Sequence, residues 1–491
     1  MLLGAERGKI RLPISRHQRF ILVYEGKLLG LALGFGFLIV GVYWSHPNPV
    51  LEGEGIYDLS PGESVRVKLK SGQRRTLTLR SFHERTEPYF ESAYSSFTSA
   101  VVAADLEVEI DGMKKTFPGG PFRRPITING LSVLLSLTQG WTGGIDPEPL
   151  SKAVRLEVQD ASLPWVGTQS LTFPIRNYLW QCSNYMHTFL GIAVNQQKLY
   201  YHRGEDYGMI PDREAVLAMG DGILATMPDP KGDGESNSVA YDTLEGSRII
   251  YDHMNSPHIR ADLGPGSQVR IGEVIGLTGN TWQGRPVDDP HLHVEIQRGA
   301  QRRNSFPGLV AAYQQSHPGA VLPIGGGWRH VWKGDTIELD GSFSIASPGR
   351  RIVKYEWSFH DGQKASTSKV SKAYAHPGTY SEQLQVTDDR GTSDLGFTEV
   401  FVLDQEVKRP PPFGWINYYP IRAIRPGTVV QFLVRSSNMR PESIDYGDGT
   451  RVPWKETTEH SYDHRGLFVV TFRGGDIGAG VGVFHVRVVV E

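Results

Sequence analysis

Two short runs hold the residues from which a metal or acid–base centre could be built. In LYYHRGEDYG, His202 and Asp206 form H-x-x-x-D between an apolar segment and a Gly/Pro-rich turn. Much later in the chain, DPHLHVEIQ sets His291 and His293 two apart in an alternating run. Residues two apart on a strand face the same side, so both imidazoles can point into one cleft while Leu292 enters the core. Imidazole and carboxylate are the donors of catalytic zinc sites, which take three protein ligands and leave a fourth position for water. The two runs can supply that set. Histidines are concentrated between about 166 and 320, at His187, His202, His253, His258, His291, His293 and His317. The only cysteine, Cys182, excludes a disulfide framework and a zinc site built on several thiolates.

The elements that position these residues must be mainly β. Gly 56 and Pro 31 among 491 residues, with many Val, Thr and Tyr, favour strands joined by tight turns. A chain of this length exceeds one hydrophobic core and predicts two to four domains. The formal net charge of −2, from 51 basic and 53 acidic side chains, gives no field that would attract nucleic acid, and none is expected as a partner.

Residues 1–27 are a basic segment, with Arg7, Lys9, Arg11, Arg16, Arg19 and Lys27 against Glu6 and Glu25. Leu28 to Trp44 carries no charge and predicts a single transmembrane helix near the lower length limit for crossing a bilayer. The basic flank places the N-terminus in the cytoplasm, and SHPNPV lacks a small-residue cleavage pattern. An uncleaved signal anchor in the cytoplasmic membrane is therefore expected, with the rest of the chain extracytoplasmic. Residues 45–165 alternate in period two, as in SVRVKLKS, RTLTLRSF and AVRLEVQD, and predict a β-sandwich-like domain without ligand-spaced His and carboxylate. Its expected role is that of a spacer or inhibitory module.

Residues 321–405 resemble a polycystic-kidney-disease (PKD) domain. Tyr355, Trp357, Phe359, Asp361 and Gly362 match its Y-x-W-x-F-x-D-G strand and turn, and Tyr374, Pro377, Gly378, Thr379, Tyr380, Val386, Thr387 and Asp388 its later strands. After the linker KRPPPFG, residues 406–491 echo that order with Ile444, Tyr446, Gly447, Asp448 and Gly449. Two C-terminal immunoglobulin-like sandwiches are implied.

Residues 166–320 contain a second resemblance, to the lysostaphin-type endopeptidases, antiparallel β-sheet zinc enzymes that cleave bacterial cell-wall peptides. His202-Arg203-Gly204-Glu205-Asp206 resembles the family's H-x-G-x-D, and Val216, Ala218, Asp221 and Gly222 its next strand and turn. GSQVRIGEVIGLTGNT resembles the family's hairpin, and HLHVEI its H-L-H-x-E strand. The resemblance implies one zinc on His202, Asp206 and His293, with His291 as a nonligand histidine that handles protons. The family's further histidine, in Y-x-H-L, falls on Ile259-Arg260-Ala261-Asp262-Leu263, where Asp262 stands instead. Asp262 takes that role, or His258 or His253 enters from the preceding loop, or the step is weakened. The expected function is hydrolysis of peptidoglycan stem or bridge peptide, or of a similar extracytoplasmic peptide. The alternative is a weakened or inactive homologue acting as scaffold, regulator or surface-binding protein.

Overall fold

Alternating apolar residues build the N-terminal module from paired strands, each burying one face. In the computed structural model, which describes residues 51–52, 55–143, 149–165, 171–195, 198–228 and 238–491, a long hairpin joins β1 (Arg74–Glu91) to β2 (Ser96–Ile110). Leu77 and Leu79 on β1, and Leu106 and Val108 on β2, are fully buried against Leu131, Val133 and Leu156 of a second, four-stranded sheet. The segment Leu28–Trp44 lies outside the described residues. Among the described residues, no helix is long and apolar enough to cross a membrane.

The second module is an antiparallel sheet. Its strands are β3 (Met186–His187), β4 (Glu205–Gly208), β5 (Gly222–Thr226), β6 (Val239–Thr243), β7 (Ser247–Asp252) and β8 (His291–Arg298). Their spatial order is β3-β4-β8-β7-β6-β5, and Gln268–Val269 closes the far edge. The register sets His187 opposite Asp206, Asp206 opposite His293, and His293 opposite Asp252. Directly paired residues share a face, so four strands present one row of polar side chains. On the other face, Leu292, Val294 and Ile296 are fully buried. α1 (Phe306–Ser316) follows, with Pro at its first turn, where the lost N–H would be unpaired in any case.

The C-terminal modules are β-rich and are joined through one sheet. β9 (Gly378–Asp388) and β10 (Ser393–Leu403) form a hairpin in the first, and β11 (Phe413–Tyr419) and β12 (Val481–Val490) belong to the second. Gly378, Thr379 and Tyr380 of β9 pair in parallel with Val481, Gly482 and Val483 of β12, so one nine-stranded sheet crosses the linker. The close approach needs glycine: a Cβ on Gly378, at φ 144°, would stand 2.4 Å from the Val481 carbonyl oxygen.

Candidate metal and proton-transfer site

His202, Asp206 and His293 converge on one point. Nε2 of His202 lies 3.0 Å from Nδ1 of His293 and 3.1 Å from Oδ1 of Asp206, and the His293 and Asp206 atoms are 2.7 Å apart. A tetrahedral zinc with Zn–N near 2.0–2.1 Å would set its donors about 3.3 Å apart, so these three need only open by tenths of an ångström. All three side chains are buried. Gly204 allows the convergence, because a Cβ there would meet the Val294 carbonyl oxygen at 2.5 Å and the His293 ring at 2.7 Å.

Outer contacts fix the ring orientation. His293 donates from Nε2 to Oε1 of Glu295 (3.3 Å), and that carboxylate also accepts from Gln297 and Arg302. A cation that displaced the proton between Nδ1 and Asp206 would meet the Nδ1 lone pair of His293, with Nε2–H still on Glu295, the carboxylate–histidine arrangement typical of metal sites. Burial opposes protonation of His293, but the bonds to Asp206 and Glu295 outweigh it and hold its pKa well above the ordinary value. Burial likewise opposes ionisation of Asp206, yet the surrounding histidines keep its carboxyl well below the usual range. Burial lowers the pKa of His202. Once His293 gives up its Nδ1 proton, the donor set is two imidazoles and one ionised carboxylate, which fits zinc.

His187 also comes close, since His187, His202 and Asp206 have donor atoms within 4.8 Å of one another. Its ring stacks on that of His202 at 10° and 4.7 Å, so the in-plane lone pairs run side by side and do not meet. The His293 ring stands at 81° to His202 and does meet it. The converging set is therefore His202, Asp206 and His293, with His187 packed behind. Burial, then the neighbouring His202, drives His187 down to about 3, and both its ring nitrogens are unpaired.

His291 points Nε2 toward Asp206 at 3.5 Å, while its Nδ1–H donates to the Asp289 carbonyl at 2.5 Å. That bond assigns the tautomer and leaves a basic nitrogen facing the donors. The His253 ring lies 4.4 Å from that of His291. It follows β7 at φ 70°, a sparsely populated conformation for a non-glycine residue. Burial, then His291, holds His253 well below its ordinary pKa.

The other two sequence candidates lie elsewhere. Asp262 is exposed and pairs with Arg260 at 3.0 Å, and His258 pairs with Asp212 at 2.5 Å. Neither makes a contact with the histidine cluster. Of the alternatives for the missing family histidine, His253 is the one brought to His291. Sequence reasoning counted His187 among the clustered histidines without giving it a role, and missed Tyr185. Tyr185 donates to Oδ2 of Asp289 at 2.8 Å and packs 5.0 Å from the His291 ring. No spacing signals either residue, whereas Glu295 continues the period-two face of His291 and His293.

The profile of peptidase family M23 matches residues 200–305, which hold the whole converging set, and that of the PKD domain matches residues 321–402. The chain carries an M23 peptidase domain. Solved structures resemble parts of it. A proposed glycyl-glycine endopeptidase, LytM, from Ruminococcus gnavus is 20% identical over 26% of this chain and 61% of its own, at a TM-score of 0.20. Csd3 from Helicobacter pylori is 12% identical over 51% of this chain and 74% of its own, at a TM-score of 0.22. This chain thus spans under two thirds of the R. gnavus protein, and TM-scores this low carry nothing about function. His187 lies outside the M23 match, which begins at residue 200.

Proposed function

We propose that this chain is a zinc metallopeptidase that hydrolyses peptide bonds in the peptide part of peptidoglycan. The observation that carries the reading is the convergence of His202 Nε2, Asp206 Oδ1 and His293 Nδ1 within 3.1 Å of one another, inside an M23 domain. These residues would hold the metal. When bound, zinc polarises a carbonyl and brings the pKa of water toward neutrality. His291, its Nδ1–H tied to Asp289, offers Nε2 to take a proton and return it to the leaving amine. His253, next to it, gives its Nδ1–H to the Thr281 carbonyl at 3.3 Å, so its neutral ring leaves Nε2 as a second proton acceptor at the site. An extracytoplasmic location, which this substrate requires, is part of the proposal.

The test uses the full chain, with elemental analysis for zinc and release of free amino groups from purified peptidoglycan. The expected result is about one zinc per chain with hydrolysis, and loss of both in His293→Ala. Stoichiometric zinc without cleavage of any wall peptide would replace this reading with that of a binding scaffold.

A further inference from the structure

Beside the histidines lies a groove of about 510 Å³, inside the roughly 300–1,000 Å³ range of small-ligand sites. Its walls come from every module. Tyr89 and Phe90 enter from the end of β1, Tyr185 and Asp289 from the peptidase, Trp328 from the PKD segment, and Phe413 and Trp415 from β11. The wall begins at the proposed metal site: Trp328 stacks on His187 at 4.5 Å and 19°, and Tyr185 packs on His291. From there the rings continue, Trp328 to Phe413 at 4.9 Å and Phe413 to Trp415 at 4.7 Å.

We infer that this groove binds a pyranose ring of the glycan strand while the attached peptide lies on the histidines. The inference rests on the peptidoglycan reading above. Its first support is charge. Among the described lining residues there is no Lys, Arg or Glu, and Asp289, the one carboxylate, already accepts from Tyr185. Stem peptides bring ammonium and carboxylate groups, which would find no free counter-charge here. An N-acetylated sugar is neutral, offers apolar C–H faces to aromatic rings, and carries acceptor oxygens. The second support is polar. Ser92, Ser437 and Asn438 edge the groove with donors and acceptors suited to hydroxyls. Trp415 and Phe413 lie outside both family matches.

The experiment compares Trp415→Ala and Trp415→Phe with the wild-type full chain on three probes. These are a chitin tetrasaccharide, glycan-bearing peptidoglycan fragments, and the same peptide without sugar. Trp415→Ala should weaken tetrasaccharide binding about tenfold, the loss of one aromatic stacking contact. It should raise KM for glycan-bearing fragments similarly, with kcat, zinc content and both constants on the sugar-free peptide unchanged. Trp415→Phe should recover most of the loss, which separates stacking from misfolding. Absence of tetrasaccharide binding to wild type, or equal effects of Trp415→Ala on both peptide substrates, overturns the inference. Failure of the peptidase reading looks different: wild type cleaves neither substrate, and the tetrasaccharide arm then decides the groove alone.

Discussion

His293 is held from both ends, by Asp206 at Nδ1 and by Glu295 at Nε2. If Glu295 sets the tautomer, Glu295→Gln should retain the fold but weaken zinc affinity by about 10–100-fold, measured by competition with a chromophoric chelator. An unchanged affinity would reduce Glu295 to a partner of Arg302. The neighbouring question is which residue supplies the second proton-handling group. His253 packs against His291, whereas Asp262 is exposed beside Arg260. His253→Ala and His291→Ala should each lower turnover by about 10²–10⁴ with zinc retained, and Asp262→Ala should change it by no more than about twofold. A large loss in Asp262→Ala would return the role to that carboxylate. The linear reading put Asp262 forward because it counts along the chain. The site is reached differently, through a positive-φ residue at the end of β7 that turns toward β8.

At the scale of elements, period two made β8 legible: His291, His293 and Glu295 share a face because strands alternate. H-x-x-x-D was legible as a donor pair, but its meeting with β8 depends on the pairing of Asp206 with His293, a contact 87 residues apart. His187 entered the row through a two-residue strand, too short for any periodicity to announce. Strand pairing also buries groups that alternation alone would leave unremarked. Glu399 on β10 faces inward, with Ser381 on β9 as its hydrogen-bond donor at 3.3 Å, and burial pushes its pKa from 4.5 up to about 7. The folded chain therefore binds a proton that the unfolded chain has released between those values. Its stabilising contribution is complete below pH 4.5 and is lost as pH rises through about 7, at up to about 1.4 kcal/mol per pH unit. Glu399→Gln should flatten this slope, so that urea midpoints at pH 5 and pH 8 differ less than in wild type. Parallel pH profiles for the two proteins would show that Glu399 ionises normally.

At the scale of the molecule, contacts between segments far apart in sequence join the β-rich segments expected one after another along the chain. The described residues fall within one compact unit. Arg329 of the PKD segment grips Glu87 of β1 at 2.8 Å, and Asn184 of the peptidase bonds the Gly414 carbonyl and the Ile416 N–H of β11 at 2.7 and 2.8 Å. These contacts join side chains far apart in sequence, so no local pattern encodes them. They are also what brings Trp328 and Trp415 to the histidine cleft.

Arg487 is the strongest test of that fusion, because it lies buried where three segments meet. From β12 it donates twice to the Trp180 carbonyl of the peptidase, at 2.9 and 2.6 Å, and pairs with Asp394 of β10 at 2.7 Å. Burial opposes its charge, yet Asp394 keeps its pKa raised, so the guanidinium is retained as a cation. Arg487→Met keeps the aliphatic stem and removes the charge, leaving the half-buried Asp394 without this cation and the Trp180 carbonyl without these donors. Breaking a buried pair from one side costs about 3–5 kcal/mol, which for units of this size lowers a melting transition by roughly 10 °C. If the modules unfold together through this contact, calorimetry of Arg487→Met should show an early C-terminal transition split from the rest. Adding Asp394→Leu should restore much of the loss, because it removes the orphaned carboxylate. An unchanged melting profile in Arg487→Met would mean that the shared sheet of β9 and β12, and not this cation, holds the C-terminal modules against the peptidase.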